Sequence, residues 1–275
     1  MRHATHRMRS RRFAMPTAAA PCATRWRVVA TSAAGTHHRH RDEPGQDSYA
    51  FNCGDEMIFV AIADGVSSAS RGGEGATLAT HTAITAMRAG VAAGVVCRTT
   101  LVTSAVASAR DAVLQEATAA DVPSDSYATT LLVAVVDADG TVSAAQIGDG
   151  VVIYIAPDGQ LHRLVSADIT SYANVVESLT GAAALQMVRC ATAAHTCGVI
   201  LTTDGLETVA MGDAETPHPA FFAPMLRHLS HTPDDSIAAE TLAEWLISDA
   251  VAAVTDDDAT LLFVIPTIPN ATPEL

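Results

Sequence analysis

Aromatic residues are scarce in this sequence, and no apolar run is long enough to cross a membrane. Phe, Trp and Tyr make up 4% of the 275 residues, although 49% of the residues are hydrophobic. The longest apolar runs, at 131–136 and 151–156, have the length of a strand, whereas a membrane helix needs about 20 apolar residues. We therefore expect a folded protein without membrane spans, whose core consists of many small side chains packed between layers, and we exclude wholesale disorder.

Basic residues are also few. The chain has 16 Lys and Arg against 30 Asp and Glu, which gives a formal net charge of −14, and many of the basic residues precede Trp26. This balance disfavours a nucleic-acid partner, whose phosphates attract positive charge. An acidic protein can still bind phosphate where metal ions supply the positive charge. For most of the acidic residues, solubility is the simpler explanation.

Cysteine is sparse, and its spacing is irregular. The five cysteines form no C-x-x-C pair, so a structural zinc site is not expected, and reduced thiols in a cytoplasmic protein are the simple interpretation. Residues 1–24 are rich in Arg and free of acidic residues, but they have no apolar segment of the kind found in secretory signals. They are interpreted as a disordered tail or a mis-assigned translation start. One domain is expected over 25–267, with a loose tail at 268–275.

The order of predicted elements indicates an α+β fold. There is no regular βαβ alternation, which favours stacked antiparallel sheets with helices outside rather than a doubly wound parallel sheet. Predicted strands cover 26–33, 48–52, 57–63, 129–137, 141–147, 151–156, 161–164, 196–202 and 259–265, and predicted helices cover 74–93, 99–120, 221–229 and 236–251.

Four aspartates stand at the ends of predicted strands. Asp64 follows the apolar run MIFVAIA, Asp204 follows GVILTT, Asp257 precedes ATLLFVI, and Asp47 precedes SYAFN. Carboxylates placed in this way can converge at one rim of a sheet, and carboxylate oxygens are the ligands that Mg²⁺ and Mn²⁺ prefer. Asp-Gly is also a common turn sequence, and an Asp-Gly after a strand is more often a turn than a ligand when it is taken alone.

Such a cluster would need cations. Two carboxylates about 4 Å apart repel each other by roughly 1 to 4 kcal/mol, depending on the effective dielectric. Four carboxylates without cations would raise one another's pKa values or move apart, whereas two divalent cations would neutralise them.

Six motifs then appear in a fixed order along the chain. Together they resemble the protein phosphatase 2C family of metal-dependent Ser/Thr phosphatases, over nearly the whole predicted domain. Gly35 and His37, ahead of Pro44, Gln46 and Asp47, are similar to a divergent bacterial branch of that family. The motifs are GQDSY (45–49), FVAIADGVSSASRGGEGA (59–76), YATTLL (127–132), AQIGDG (145–150), LTTDGLE (201–207) and DDAT (257–260).

The resemblance implies a four-layer α-β-β-α sandwich, in which two antiparallel sheets are flanked by helix pairs. It also implies two Mn²⁺ or Mg²⁺ ions, which activate a water molecule that attacks phosphorus without a covalent enzyme intermediate. Asp125 lies where many bacterial members have an Asp for a third metal, or it is a turn residue at a helix end. By motif position, Asp64 would bridge both ions, the Gly65 carbonyl would bind one ion, Asp204 and Asp257 would hold the second, and Asp47 would act through metal-bound water.

Two features of better-known family members are missing. Where many members have an Arg that binds the substrate phosphate, this chain has Asp42, so one of Arg41, Arg39, His37 and His38 is expected to replace it, with His37 favoured by the branch pattern. Some members carry a His directly after the Asp-Gly as a proton donor, and here that residue is Val66. His37 could take this role, because imidazole can donate a proton near neutral pH. The same segment could equally be a solvated polar loop.

The resemblance predicts a protein Ser/Thr phosphatase that hydrolyses phosphomonoesters in bacterial signalling. Its expected partners are a phosphorylated protein substrate and a cognate Ser/Thr kinase. Two alternatives stay open at this point. One is a catalytically weak or inactive module that binds phosphoproteins, suggested by the missing Arg and His, and the other is a phosphatase for small metabolites.

Overall fold

Two five-stranded antiparallel sheets pack face to face in the computed structural model, which describes residues 26–54, 56–166 and 177–267. The first sheet has the order β1 (Trp26–Ala33), β10 (Ala259–Pro266), β9 (Gly198–Thr202), β6 (Val151–Ile155) and β7 (Leu161–Arg163). The second has the order β2 (Ser48–Cys53), β3 (Met57–Ala63), β4 (Leu131–Asp137), β5 (Val142–Ile147) and β8 (Arg189–Ala193). The predicted α+β sandwich is confirmed.

Helices cover the outer face of each sheet. Two long helices pack on the second sheet, and the helices near the C-terminal end of the chain pack on the first sheet. The resulting layer order is helices, sheet, sheet, helices, as predicted. The helices are α1 (Thr36–Arg39), α2 (Gly72–Ala92), α3 (Arg98–Ala119), α4 (Glu207–Ala210), α5 (Pro219–His231), α6 (Asp235–Leu246) and α7 (Asp249–Ala252).

Small side chains let these layers approach closely. Helix α2 buries Ala76, Ala79 and Ala83 completely against the second sheet. Strand β3 is buried almost throughout, because α2 covers one face and the other sheet covers the opposite face. This double burial explains why its sequence, MIFVAIA, is continuously apolar instead of alternating.

The structure corrects several element boundaries. The helix expected over 236–251 is wrong as one piece: α6 ends at Leu246, and α7 starts after its N-cap Ser248. Strand β8 was missed because it lies at the sheet edge, half exposed, with the polar sequence RCATA. Helix α1 was also missed, since four residues give no helical periodicity to detect.

Parts of the chain lie outside the described residues. The tails proposed for residues 1–24 and 268–275 fall there, so the division into one domain and two tails stays a prediction. Within the described ranges, no helix combines the length and apolar character that a membrane span requires.

Candidate metal centre

The β2–β3 hairpin brings Asp47 and Asp64 side by side. Ser48 pairs with Ala63 in the antiparallel register, so the aspartates that flank this pair, one before β2 and one after β3, are neighbours. After burial, the charge of Asp47 is the largest cause that raises the pKa of Asp64. Because both are largely buried, neither charge is well solvated.

The backbone of Asp64 is held by the motif that leads into β4. The Thr130 amide donates to the Asp64 carbonyl at 2.8 Å, and the Thr129 hydroxyl donates to the same oxygen at 2.8 Å. In return, the Asp64 amide donates to the Thr130 hydroxyl at 2.9 Å. These three hydrogen bonds explain why two threonines directly precede β4. They also fix the backbone position from which the Asp64 side chain extends.

Asp204 and Asp257 come from the other sheet. Asp204 follows β9, and Asp257 lies two residues before β10, which pairs with β9. The charges of both raise the pKa of Asp64, although its burial has the larger effect. The four aspartates singled out in the sequence therefore meet at one end of the sandwich, two from each sheet.

Asp149 is a fifth carboxylate at this end, and the sequence motifs gave it no role. It lies on the turn between β5 and β6, where the chain passes from one sheet to the other. After burial, its charge is the largest cause that raises the pKa of Asp204, to about 7. The motif AQIGDG contained this residue, but an Asp between two glycines is a typical turn pattern, so the signal was ambiguous.

The turn that carries Asp149 is bound by side-chain donors. Nε2 of the fully buried Gln146 lies within 3.0 to 3.2 Å of the carbonyl oxygens of Gly148, Asp149 and Gly150. Arg163 donates to the Gly150 carbonyl at 3.2 Å, and Arg189 donates to the Gly148 carbonyl at 2.5 Å. These contacts fix the turn, and the guanidinium of Arg189 lowers the pKa of Asp149 against the effect of burial.

Two glycines allow the loops at this end to approach closely. A Cβ atom on Gly205 would collide with the carbonyl oxygen of Asp258, and a Cβ on Gly65 would collide with the backbone of Gly72. The glycines that follow Asp64 and Asp204 therefore serve close backbone packing, which separates them from ordinary turn glycines.

The donor set fits hard divalent cations. Its members offer carboxylate oxygens alone, and Oδ1 of Asp47 is buried without a hydrogen-bond partner. Desolvation raises the pKa of Asp47 to about 6, which is the expected effect on a buried anion whose charge lacks a cation. Among the described residues, no group of three or more His, Cys, Asp or Glu side chains is placed closely enough to hold a metal ion as the structure stands.

Comparisons with known proteins identify the family of this chain. Residues 34–247 match the family model described as protein phosphatase 2C. The chain is also 32% identical over 252 residues to serine/threonine-protein phosphatase 3 of Escherichia coli (strain K12), an alignment that covers 87% of this chain and 98% of that protein. The chain belongs to the protein phosphatase 2C family. It is thus a protein Ser/Thr phosphatase in a family of metal-dependent hydrolases, as the sequence motifs predicted.

Solved structures support the same fold. The S. agalactiae serine/threonine phosphatase has a TM-score of 0.59 at 14% identity and covers 88% of this chain and 99% of that one. RsbX, described in complex with magnesium, has a TM-score of 0.52 at 13% identity and covers 88% and 96%. At these low identities, the two structures support only the fold of this phosphatase.

Asp125 lies on a short 3₁₀ helix, Ser124–Tyr127, and is exposed. It is not among the carboxylates whose charges most raise the pKa of Asp64 or Asp204. Asp149 therefore has a closer electrostatic link to the centre than Asp125 has.

The segment 36–43, which holds the candidate phosphate-binding residues, forms α1 and the loop after it. His37, Arg39 and Arg41 are all exposed there. Arg39 donates to the carbonyl of Ile247 at 3.3 Å, and Arg41 lies 4.0 Å from Glu43. The buried member of this segment is His38, which the sequence named among the possible replacements but did not favour.

Asp258 explains how this segment is anchored. Its Oδ1 accepts the Gly35 amide at 2.7 Å and contacts Nδ1 of His38 at 2.8 Å, and its Oδ2 accepts the Gln46 amide at 2.5 Å. One buried carboxylate thus ties both ends of the loop that leads to Asp47. Adjacent aspartates therefore have different roles. Asp257 acts on the carboxylate cluster, whereas Asp258 anchors the loop between Gly35 and Gln46.

Proposed function

We propose that this phosphatase hydrolyses phosphoserine and phosphothreonine esters of proteins with two Mn²⁺ or Mg²⁺ ions bound at the carboxylate end of the sandwich. Asp64 would contact both ions, with the Gly65 carbonyl on one ion and Asp204 and Asp257 on the other. The observation that carries the proposal is the mutual charge coupling of aspartates from both sheets. Without cations, so many buried carboxylates at one place cost folding free energy.

The chain's own residues then have distinct tasks. The bound cations would supply water activation and neutralise charge on the phosphoryl oxygens. Asp47 would orient a water molecule through its unpartnered Oδ1, while its Oδ2 is fixed by Thr203 at 2.7 Å and Thr260 at 2.8 Å. Asp149 and Asp125 are the candidates for a weaker third ion.

We also propose a role in bacterial signalling, in which the enzyme reverses the action of a Ser/Thr kinase. The support is the family and the bacterial relatives. His37, Arg39 and Arg41 stay proposed as phosphate contacts, because they lie on the loop next to Gln46 and Asp47.

One assay tests the activity. Hydrolysis of p-nitrophenyl phosphate is measured with and without Mn²⁺ for the wild type, for Asp64→Asn and for Asp111→Asn, an exposed aspartate on α3. Asp64→Asn should reduce the Mn²⁺-dependent rate by at least about 100-fold, since even residues that only support a metal ligand are worth about 10 to 100-fold. Asp111→Asn should match the wild type. Wild-type protein without Mn²⁺-dependent turnover would instead favour an inactive phosphoprotein-binding module.

A substrate panel tests the class. Phosphoserine and phosphothreonine peptides should be turned over with higher kcat/KM than small phosphorylated metabolites. The reverse order would favour the small-metabolite phosphatase.

A further inference from the structure

His38 is a buried imidazole with a fixed orientation. It is 8% exposed, and its Nδ1 lies 2.8 Å from Oδ1 of Asp258, which is 2% exposed. A carboxylate can only accept a hydrogen bond, so Nδ1 carries the proton in this contact. The ring nitrogen Nε2 is then the one left to act elsewhere. His37 differs, because its ring is exposed and the bond that holds it runs from its backbone amide to the Asp256 carbonyl at 3.1 Å.

Asp258 places this imidazole beside the proposed metal centre. The same carboxylate that contacts His38 also accepts the amide of Gln46, the residue directly before Asp47. Asp258 itself directly follows Asp257 in the chain. His38 and two proposed metal-site residues are therefore held around one carboxylate.

His38 also lines an open groove. The groove has a volume of about 910 Å³ and runs between the loop 43–46, the loop 67–71 and the start of α2, with Gln46 and Tyr127 in its wall. A polypeptide carrying a phosphorylated side chain could reach the carboxylate end along this groove. Its wall at Gln46 adjoins Asp47, so the groove that His38 lines reaches one residue of the proposed metal site.

The other charged groups of the groove are less suited to give up a proton there. Arg71 donates to the Tyr127 hydroxyl at 2.6 Å and lies 3.8 Å from Glu74. Glu43, Glu74 and Glu116 are exposed carboxylates, and an ionised carboxylate has no proton to donate. His81 is exposed on α2 and lacks the Asp258 contact. His38 alone among these groups has one ring nitrogen fixed by a buried carboxylate.

We propose that His38 is a catalytic residue that donates a proton from Nε2 to the leaving oxygen of the phosphorylated Ser or Thr, and that Asp258 is its positioning residue. This inference rests on the hydrolytic function proposed above. It assigns the proton-donor role to a residue that the sequence named only among the possible replacements for the phosphate-binding Arg.

The step balances without a further reactant. The oxygen of a water molecule forms a bond to phosphorus, and the ester P–O bond breaks with its electron pair on the Ser or Thr oxygen. Positively charged His38 transfers its Nε2 proton to that oxygen and becomes neutral. The proton that water loses goes to solvent, and His38 regains a proton from solvent before the next cycle.

Comparing two leaving groups distinguishes proton donation by His38 from a purely structural role of this residue. The p-nitrophenolate anion leaves readily without a proton, whereas a serine alkoxide is a poor leaving group and needs one. His38→Asn keeps a side-chain N–H close to the position of Nδ1, so the contact with Asp258 can survive, but it has no Nε2 proton to give. His40→Asn, on the same segment and exposed, is the matched control.

His38→Asn should lower kcat on a phosphoserine peptide by about 100-fold or more, the range of general acid catalysis, and change the rate on p-nitrophenyl phosphate less than about 5-fold. Mn²⁺ affinity, measured by calorimetry, should stay at the wild-type value, and His40→Asn should change neither rate. Asp258→Asn should also lower the rate on the phosphoserine peptide more than the rate on p-nitrophenyl phosphate, but by a smaller factor. This variant tests the inference if His38→Asn folds poorly.

Equal losses on both substrates would overturn the inference, and so would a selective loss in His37→Asn instead of His38→Asn. Wild-type protein without Mn²⁺-dependent turnover of either substrate would be a different result, because it would overturn the proposed hydrolytic function itself.

Discussion

The Thr260 hydroxyl lies 2.8 Å from Oδ2 of Asp47, so the last strand of one sheet holds a carboxylate that precedes a strand of the other. The same hydroxyl lies 2.9 Å from the Ser32 hydroxyl oxygen, which is its second acceptor. Thr203 repeats the arrangement: its hydroxyl donates to the same Oδ2 at 2.7 Å and accepts the Thr260 amide at 3.0 Å. Oδ1 of Asp47 is thereby left for another partner.

Removing these hydroxyls should weaken metal binding. We expect Thr260→Val and Thr203→Val each to reduce Mn²⁺ affinity by about 10 to 100-fold, the usual effect of losing a group that orients a ligand. Thr260→Ser and Thr203→Ser keep the donor and should stay within a few-fold of the wild type. Calorimetric titration with Mn²⁺ measures this, and valine variants with unchanged affinity would contradict the role given to Asp47.

The metal-free protein should lose stability as pH rises from about 4 to about 7. Burial and neighbouring carboxylates raise the folded-state pKa of Asp47 to about 6 and of Asp204 to about 7, above the value of 3.8 for an unperturbed Asp. Protonated carboxyls are then favoured in the folded state, so their contribution is full below pH 3.8 and is lost as each group ionises.

Thermal unfolding in EDTA measures this pH effect. Tm should fall between pH 4.5 and 7.5, and Asp204→Asn should reduce the fall. Saturating Mn²⁺ should raise Tm more at pH 7.5 than at pH 4.5, because metal binds the ionised carboxylates. A metal-free Tm that rises steadily over this range in the wild type and in Asp204→Asn alike would count against the cluster.

Gly205→Ala tests the close approach beside Asp204. Its Cβ would overlap the carbonyl oxygen of Asp258, a backbone atom that cannot move alone, so we expect a loss of about 1 to 3 kcal/mol in the free energy of unfolding. At Gly212 the nearest atom to an added Cβ is 3.5 Å away, an ordinary contact. Gly212→Ala should therefore have little effect in urea unfolding, and equal losses in both variants would show that the Asp258 contact is not the cause.

A third ion can be tested at two positions. Asp149→Asn should raise the Mn²⁺ concentration for half-maximal activity more than Asp125→Asn does, because the charge of Asp149 acts strongly on Asp204 whereas Asp125 is exposed on its 3₁₀ helix. Rate measurements over a range of Mn²⁺ concentrations decide this. A larger increase in the half-maximal Mn²⁺ concentration for Asp125→Asn would instead assign the third ion to Asp125.

The sequence predicted the elements best where burial leaves a pattern. Strands β1 and β3 begin and end at the predicted residues, because both are apolar segments with clear ends. Strand β8 was not predicted, because it is stabilised by pairing with β5. That contact is long-range and leaves no pattern in the local sequence.

The site was predictable to the extent that its chemistry lies in short motifs. Asp47, Asp64, Asp204 and Asp257 stand next to strands that the sequence reveals. Which of two adjacent residues faces inward is harder to predict, since His37 and His38 are the same residue type and it is the folded chain that buries His38 against Asp258. That contact joins residues 220 positions apart in the chain.

Because both sheets contribute carboxylates to the centre, activity should be lost as soon as the two sheets separate. Neither half of the sandwich can retain a working centre after the two sheets separate, because Asp47 would lose its threonines and Asp64 would lose Asp204 and Asp257. Partly unfolded molecules should thus carry no residual activity. In a cell, the rate of dephosphorylation would then report the fraction of molecules whose sheets are fully joined, and dilution of metal would lower that fraction along with the rate.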